Sequence, residues 1–128
     1  MRDGEAASLA DLRMLQGRWR EIWQTDQDGT TSSSVASQAV TSFSGNTFTV
    51  RVPGRDPLRE GTFVIDARTD PRSITIINAL GEDAGKALHG IYDLQGDRLI
   101  LVMAEAGCPF PTEFKGAPGL TIRMFIRN

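Results

Sequence analysis

The stretch Leu15-Gln16-Gly17-Arg18-Trp19 decides the expected fold, because it joins a helical pattern to the first strand pattern of the chain. Upstream of it, Ser8 and Asp11 have the three-residue spacing of an N-terminal capping box, so the helix is expected to begin at Ser8. Gly17 ends the helix, since glycine readily adopts the backbone conformations that close one. We therefore predict a short N-terminal helix that leads directly into a strand containing Trp19.

The rest of the chain consists mostly of short apolar runs that alternate with polar residues, which is the period of a strand. Turn residues separate neighbouring runs at Gly45-Asn46, at Arg68-Thr69-Asp70-Pro71 and at Gln95-Gly96-Asp97. The expected strands are 18–25, 38–44, 47–53, 60–67, 72–78, 87–94, 98–104 and 119–127. This all-β pattern predicts an up-and-down antiparallel β-barrel of about eight strands. A β-sandwich is the alternative, since it also gives short, evenly spaced strands.

The composition is that of an ordinary globular protein and excludes several functional classes. Its 128 residues predict one domain, 1–128, with residues 1–7 expected to be disordered. The formal net charge is −2 and no basic cluster occurs, which argues against a nucleic-acid partner. No apolar run has the length of a signal peptide or a membrane span, and Cys108 is the only cysteine. We expect a cytoplasmic protein with no membrane partner, either a monomer or a homodimer.

Two expected connections are longer than hairpin turns. Residues 26–37 are polar and small, whereas residues 105–118 include Cys108, Phe110 and three prolines. Long loops in barrels frequently flank the mouth or cover an end. Each segment is therefore a candidate to flank the mouth or cover an end, and we expect 105–118 to act as a lid.

Several short motifs occur in an order that resembles a known family. These are Gly17-Arg18-Trp19, then 42–50 (SFSGNTFTV), 60–63 (EGTF), 90–99 (GIYDLQGDRL) and 111–114 (PTEF). The chain resembles a functionally uncharacterised family of small bacterial domains that is abundant in planctomycetes. The resemblance extends from Leu15 to the last strand and implies a lipocalin-like barrel, a calycin, without implying any catalytic residue. The chain departs from the family pattern at 105–110, where the family is usually more polar and basic.

The lipocalin-like fold implies a partner for the indole of Trp19. Lipocalins stack an arginine of the last strand on this indole, and Arg123 and Arg127 are the two candidates here. If Trp19 points inward, the alternation of a strand also turns Glu21 and Trp23 inward. A carboxylate inside a barrel needs a partner. Glu21 is therefore a polar anchor for a ligand, a general base, or one half of a buried ion pair with an arginine.

The other strands supply an expected apolar lining. Leu99, Leu101 and Met103 share one face of their strand, and Leu120, Ile122, Met124 and Ile126 share one face of theirs. Tyr92 is expected to point inward beside Gly90, which leaves room for a bulky side chain such as Trp23 or for a ligand. His89, the only histidine, should face outward, so no metal site is expected. The candidate ligand-binding residues are Glu21, Trp23, Phe48, Tyr92, Met103 and Met124.

Three functions are compatible with these patterns. The first is binding of a small, largely apolar molecule inside the barrel. The second is a cofactor-free cyclase, isomerase or hydratase, with Glu21 as acid or base and Tyr92 as a hydrogen-bond donor to a developing oxyanion. The third is a structural or partner-docking domain with a filled core. No cofactor is expected under any of them, and the sequence leaves open whether the interior is hollow or filled.

Overall fold

A computed structural model describes residues 3–25, 31–33, 39–52, 54, 56–57, 59–80, 84–115 and 119–128. The described residues form one helix and nine strands. The helix α1 spans Asp3–Leu15, and the strands are β1 (Gly17–Thr25), β2 (Thr31–Ser33), β3 (Val40–Ser44), β4 (Thr47–Arg51), β5 (Arg59–Asp66), β6 (Ser73–Asn78), β7 (Ala87–Gln95), β8 (Arg98–Ala104) and β9 (Leu120–Arg127).

The strands form a closed antiparallel β-barrel. From β3 to β9 each strand pairs with the next one in the chain, β1 pairs with β3, and β9 returns to pair with β1. The eight strands β1 and β3–β9 thus close the sheet, as predicted. The short β2, which the sequence did not predict, pairs only with the end of β1 at residues 23–25. In the described parts of the chain, the helix is not long and apolar enough to cross a membrane.

The two ends of the barrel differ in their connections. Tight turns join β3 to β4, β5 to β6 and β7 to β8 at the end that we call the closed end. The other strand ends lie at the opposite end, which we call the open end: those of β4 and β5 at Arg51 and Arg59, and those of β6 and β7 at Asn78 and Ala87. The strand ends that flank the two long segments of the sequence, Thr25 and Val40 for one and Ala104 and Leu120 for the other, are also at the open end. This asymmetry leaves the open end to irregular segments, which is where binding residues commonly lie.

The helix and Trp19 shut the closed end. The indole is fully buried, and its Nε1 donates a hydrogen bond to the Leu15 carbonyl oxygen at 2.8 Å. The guanidinium carbon of Arg127 lies 4.2 Å from the centre of the indole ring. Arg127 also donates to the carbonyl oxygens of Gln16 and Met14, so it fixes the helix end to the last strand. Of the two candidate arginines, Arg127 is the one that stacks on Trp19.

The helix begins earlier than the sequence predicted. It starts at Asp3, so residues 3–7, expected to be disordered, are helical, and Ser8 is not its N-cap. The two residues of the predicted capping box instead bond to the barrel. Ser8 Oγ accepts a hydrogen bond from the Ala67 backbone N–H at 2.9 Å, and Asp11 binds two side chains of the sheet. The capping-box prediction is therefore wrong, because Ser8 Oγ and Asp11 Oδ2 bind groups of the barrel.

The inward face predicted for β9 is also wrong. Leu101 pairs with Arg123 and Leu99 with Phe125, so Arg123 and Phe125 share the inward face of β9. The residues Leu120, Ile122, Met124 and Ile126 therefore lie on the outer face. That face is apolar because a second cluster, Ile91, Val102 and Ile122, is buried on the outside of the barrel. The apolar residues of β9 are concentrated on its outer face, so alternation alone indicated the wrong face as the inner one.

Candidate functional site

Large apolar side chains fill the closed half of the barrel. Phe43 and Phe63 meet edge to face with ring centres 5.1 Å apart. The buried core contains the following residues: Leu15, Trp19, Phe43, Phe48, Phe63, Ile74, Tyr92, Leu99, Leu101 and Phe125. This packing stops short of the open end, where several inward positions carry smaller or polar side chains.

A cavity of about 660 Å³ occupies the open half of the barrel. Its volume falls within the range of about 300–1,000 Å³ that is usual for small-molecule sites. The cavity is lined by Thr41, Phe43, Phe48, Val50, Arg59, Ile76, Asn78, Leu80, Lys86, Leu88, Leu101, Met103, Ala104, Glu105, Ala106, Thr121, Arg123 and Phe125. Phe48 and Met103, two of the predicted ligand-binding residues, are among them. The floor is apolar and the polar residues lie higher on the walls.

Glu21 lies inside the barrel and faces an arginine. It pairs in register with Phe125, and its carboxylate Oε1 is 3.5 Å from Nε of Arg123. The side chain of Glu21 is 13% exposed and that of Arg123 is 25% exposed, so the pair is largely withdrawn from water. Of the alternatives raised by the sequence, the structure shows the ion pair. Oε1 of Glu21 is buried and accepts no hydrogen bond within the described residues.

A β-bulge follows Glu21 and changes the alternation of β1. Glu21 pairs with Phe125 and Trp23 pairs with Met124, so Ile22 is the extra residue. The inward prediction for Trp23 depended on unbroken alternation, which the bulge removes. The side chain of Trp23 itself lies outside the described part of the chain. Met124 is on the outer face of β9 and does not line the cavity, so the inward position predicted for it is wrong.

Tyr92 is buried at the closed end and belongs to a structural network. Its hydroxyl donates a hydrogen bond to Oδ2 of Asp11 at 2.6 Å, and Nη1 of Arg72 donates to the same oxygen at 2.7 Å. Burial, and then the hydrogen bond to Asp11, raises the pKa of the Tyr92 hydroxyl above its ordinary value. Tyr92 does not line the cavity. The structure therefore does not bring Glu21 and Tyr92 together as the acid–base and oxyanion residues of one catalytic site.

Met103 fills the space beside Gly90. A Cβ atom placed on Gly90 would clash with Sδ of Met103 and would lie 2.6 Å from the Val102 carbonyl oxygen. The thioether of Met103 thus occupies the space that was expected beside Tyr92. This contact explains the absence of a side chain at Gly90 without Trp23 or a ligand. Met103 consequently forms one side of the cavity wall while it packs against the backbone of β7.

The segment that was expected to be a lid lies mainly along the outside of the barrel. Glu105 and Ala106 border the cavity. Phe110, in contrast, packs on His89 with ring centres 4.3 Å apart, and His89 lies within hydrogen-bonding distance of Thr75 on the outer face. The outward position of His89 is as predicted. The described part of the segment therefore forms a rim of the mouth and does not close it.

The charged residues of the cavity wall are what sequence reasoning missed. Arg123 was considered only as a partner of Trp19, and Arg59 was not considered at all. Arg123 interrupts the apolar strand 119–127, and an arginine at such a position is a usable signal, since buried charges require a partner. No group of three metal-ligating side chains occurs among the residues described by the structure. Comparisons with protein-family models, with curated proteins and with solved structures find no match to this chain.

Proposed function

We propose that the protein binds a small, largely apolar molecule in the open half of its barrel. The observation that supports this most directly is the cavity of about 660 Å³ above a filled, apolar floor. In a purely structural barrel, eight strands bring the walls close enough for side chains to fill the interior. Here Phe43, Phe48, Leu101 and Phe125 both complete the core and form the bottom of the cavity, so an apolar ligand would be desolvated against them.

The rigidity of the closed half also supports a binding role. The floor is held by the buried Trp19 and by the Asp11–Tyr92 hydrogen bond, both of which fix the helix across the closed end. A preformed apolar site loses little conformational entropy when a ligand enters. Under this proposal the protein is a binding protein of the lipocalin-like, or calycin, type. Its membership of the planctomycete-abundant family remains a prediction.

The experiment is a titration with N-phenyl-1-naphthylamine, an uncharged apolar dye whose fluorescence rises in apolar surroundings. The wild-type protein should bind one equivalent. Val50→Trp places a large side chain in the cavity and should weaken dye binding at least tenfold. Val64→Trp is the matched control, because Val64 is 69% exposed on the outer face of β5 and its replacement should leave binding unchanged.

Thermal unfolding followed by circular dichroism should show that both variants are folded at the temperature of the titration. Absence of saturable dye binding by the wild type would contradict the proposal. Equal weakening by the two tryptophan substitutions would also contradict it, because the dye would then be bound at the surface.

A further inference from the structure

We infer that the ligand carries one acidic group, which lies against Arg123 while its apolar part occupies the floor of the cavity. This inference rests on the proposed function and adds the chemical class of the ligand. Arg123 is on the inward face of β9, directly between Thr121 towards the mouth and Phe125 towards the floor. The guanidinium is therefore placed at mid-depth on the wall, on the strand residue that pairs with Leu101 of β8.

The orientation of the Glu21–Arg123 pair presents the cation to the cavity. Arg123 lines the cavity, whereas Glu21, on the neighbouring strand β1, does not. The Nε atom of Arg123 is the one that faces Glu21, at 3.5 Å, which is longer than a direct hydrogen bond. Glu21 thus offsets the cost of burying the guanidinium without shielding it from the cavity. A carboxylate is the group that the planar guanidinium binds with the best geometry.

The charge around the cavity has the opposite sign to that of the whole chain. Among the residues that the structure describes, the lining contains three basic residues, Arg59, Lys86 and Arg123, and one acidic residue, Glu105, while Glu21 lies behind Arg123. The complete chain has a formal net charge of −2. Arg59 is on β5, which lies four strands from β9 in either direction around the barrel, so basic residues border the cavity on opposite walls. Such a distribution attracts anions and disfavours cations.

The test compares three probes that share one alkyl chain and differ in the polar end: decanoate, decanol and decylammonium. Each competes with N-phenyl-1-naphthylamine at a concentration below that at which it forms micelles. Decanoate should bind the wild-type protein about tenfold more tightly than decanol, and decylammonium should bind most weakly. Since this comparison uses only the wild type, it does not depend on the folding of any variant.

The double variant Glu21→Gln/Arg123→Gln tests whether Arg123 causes the preference for decanoate over decanol. It removes both charges together, so neither is left buried alone, and it should bind decanoate and decanol within about twofold of each other. Arg98→Gln is the control, since the exposed Arg98 at the closed end hydrogen-bonds Gln95, and this variant should keep the preference for decanoate. Equal binding of decanoate and decanol by the wild type would overturn the inference.

Three outcomes separate the role of Arg123, the acidic ligand and the proposed function. A preference for decanoate that survives in the double variant would overturn the role of Arg123. Binding of the dye and of decanol without any preference for decanoate would overturn the acidic ligand but leave the proposed function in place. Failure of every probe, including the uncharged dye, would overturn the proposed function itself.

Discussion

Replacement of Trp19 by alanine should cost the barrel a large part of its stability. The side chain is fully buried, donates a hydrogen bond to Leu15 and carries the guanidinium of Arg127 at 4.2 Å. Loss of a buried tryptophan costs about 3–5 kcal/mol, because the remaining structure relaxes only partly into the space. Domains of this size are typically stable by about 5–15 kcal/mol, so Trp19→Ala should produce a large and readily measured fall in the free energy of unfolding.

Trp19→Phe separates packing from hydrogen bonding. It keeps an aromatic ring at the closed end but loses the Nε1 donor to the Leu15 carbonyl oxygen, so it should cost about 1–2 kcal/mol. Val64→Ala is the control: Val64 is 69% exposed, and its truncation should cost less than about 0.5 kcal/mol. The measurement is urea unfolding followed by far-ultraviolet circular dichroism, which does not depend on indole fluorescence. A loss of less than about 1 kcal/mol in Trp19→Ala would refute the assignment of Trp19 as the closure of the barrel.

Three further predictions concern other described contacts. A double-mutant cycle with Glu21→Gln and Arg123→Met should give a coupling energy of about 1–3 kcal/mol by urea unfolding, and strictly additive effects would contradict a buried pair. Because folding raises the pKa of Tyr92, the folded state holds the phenol proton more tightly than the unfolded chain. The free energy of unfolding should thus fall above pH 10, by at most about 1.4 kcal/mol per pH unit, and Tyr92→Phe should remove this component. Gly90→Ala should destabilise the fold by about 1–3 kcal/mol and shift the methyl resonance of Met103; an unchanged melting temperature would argue against their contact.

The barrel was predictable from the sequence because its strands are short, alternating and separated by strong turn residues. The eight predicted strands correspond to the eight strands of the closed barrel, with ends that differ by at most three residues. The turn at Gly45-Asn46 illustrates the reason: Gly45 has a φ of 60°, a conformation that glycine adopts without strain. Local chemistry therefore identifies the eight strands of the closed barrel, although it does not reveal the short β2.

The details that sequence could not supply are those set by pairing across the sheet. The inner face of β9 follows from the register of Leu101 with Arg123, whereas alternation indicated the opposite face, which includes Met124. The bulge at Ile22 changes the phase of β1 without any glycine or proline to announce it. Sequence identified Glu21 as an inward carboxylate, but it could not choose among a ligand anchor, a general base and an ion pair.

Whether the interior is filled was beyond sequence reasoning for a related reason. The volume left inside a barrel depends on how far each inward side chain reaches, and Met103 shows this by turning against Gly90. Tyr92 shows it as well, since its hydroxyl reaches Asp11 on the helix, 81 residues away in the chain. Contacts of such long sequence separation have no local pattern from which they could be read.

The most direct test of the ligand cavity is nuclear magnetic resonance of protein labelled with carbon-13 at the methionine methyl groups. Met103 lines the cavity and Met124 is on the outer face of β9, so the two methyl groups report on the inside and the outside of one barrel wall. Their resonances are assigned with the variants Met103→Leu and Met124→Leu. On titration with N-phenyl-1-naphthylamine, the resonance of Met103 should shift and saturate at one equivalent while that of Met124 stays in place. A resonance of Met103 that does not move at saturating dye, or a shift confined to Met124, would contradict a ligand site inside the barrel.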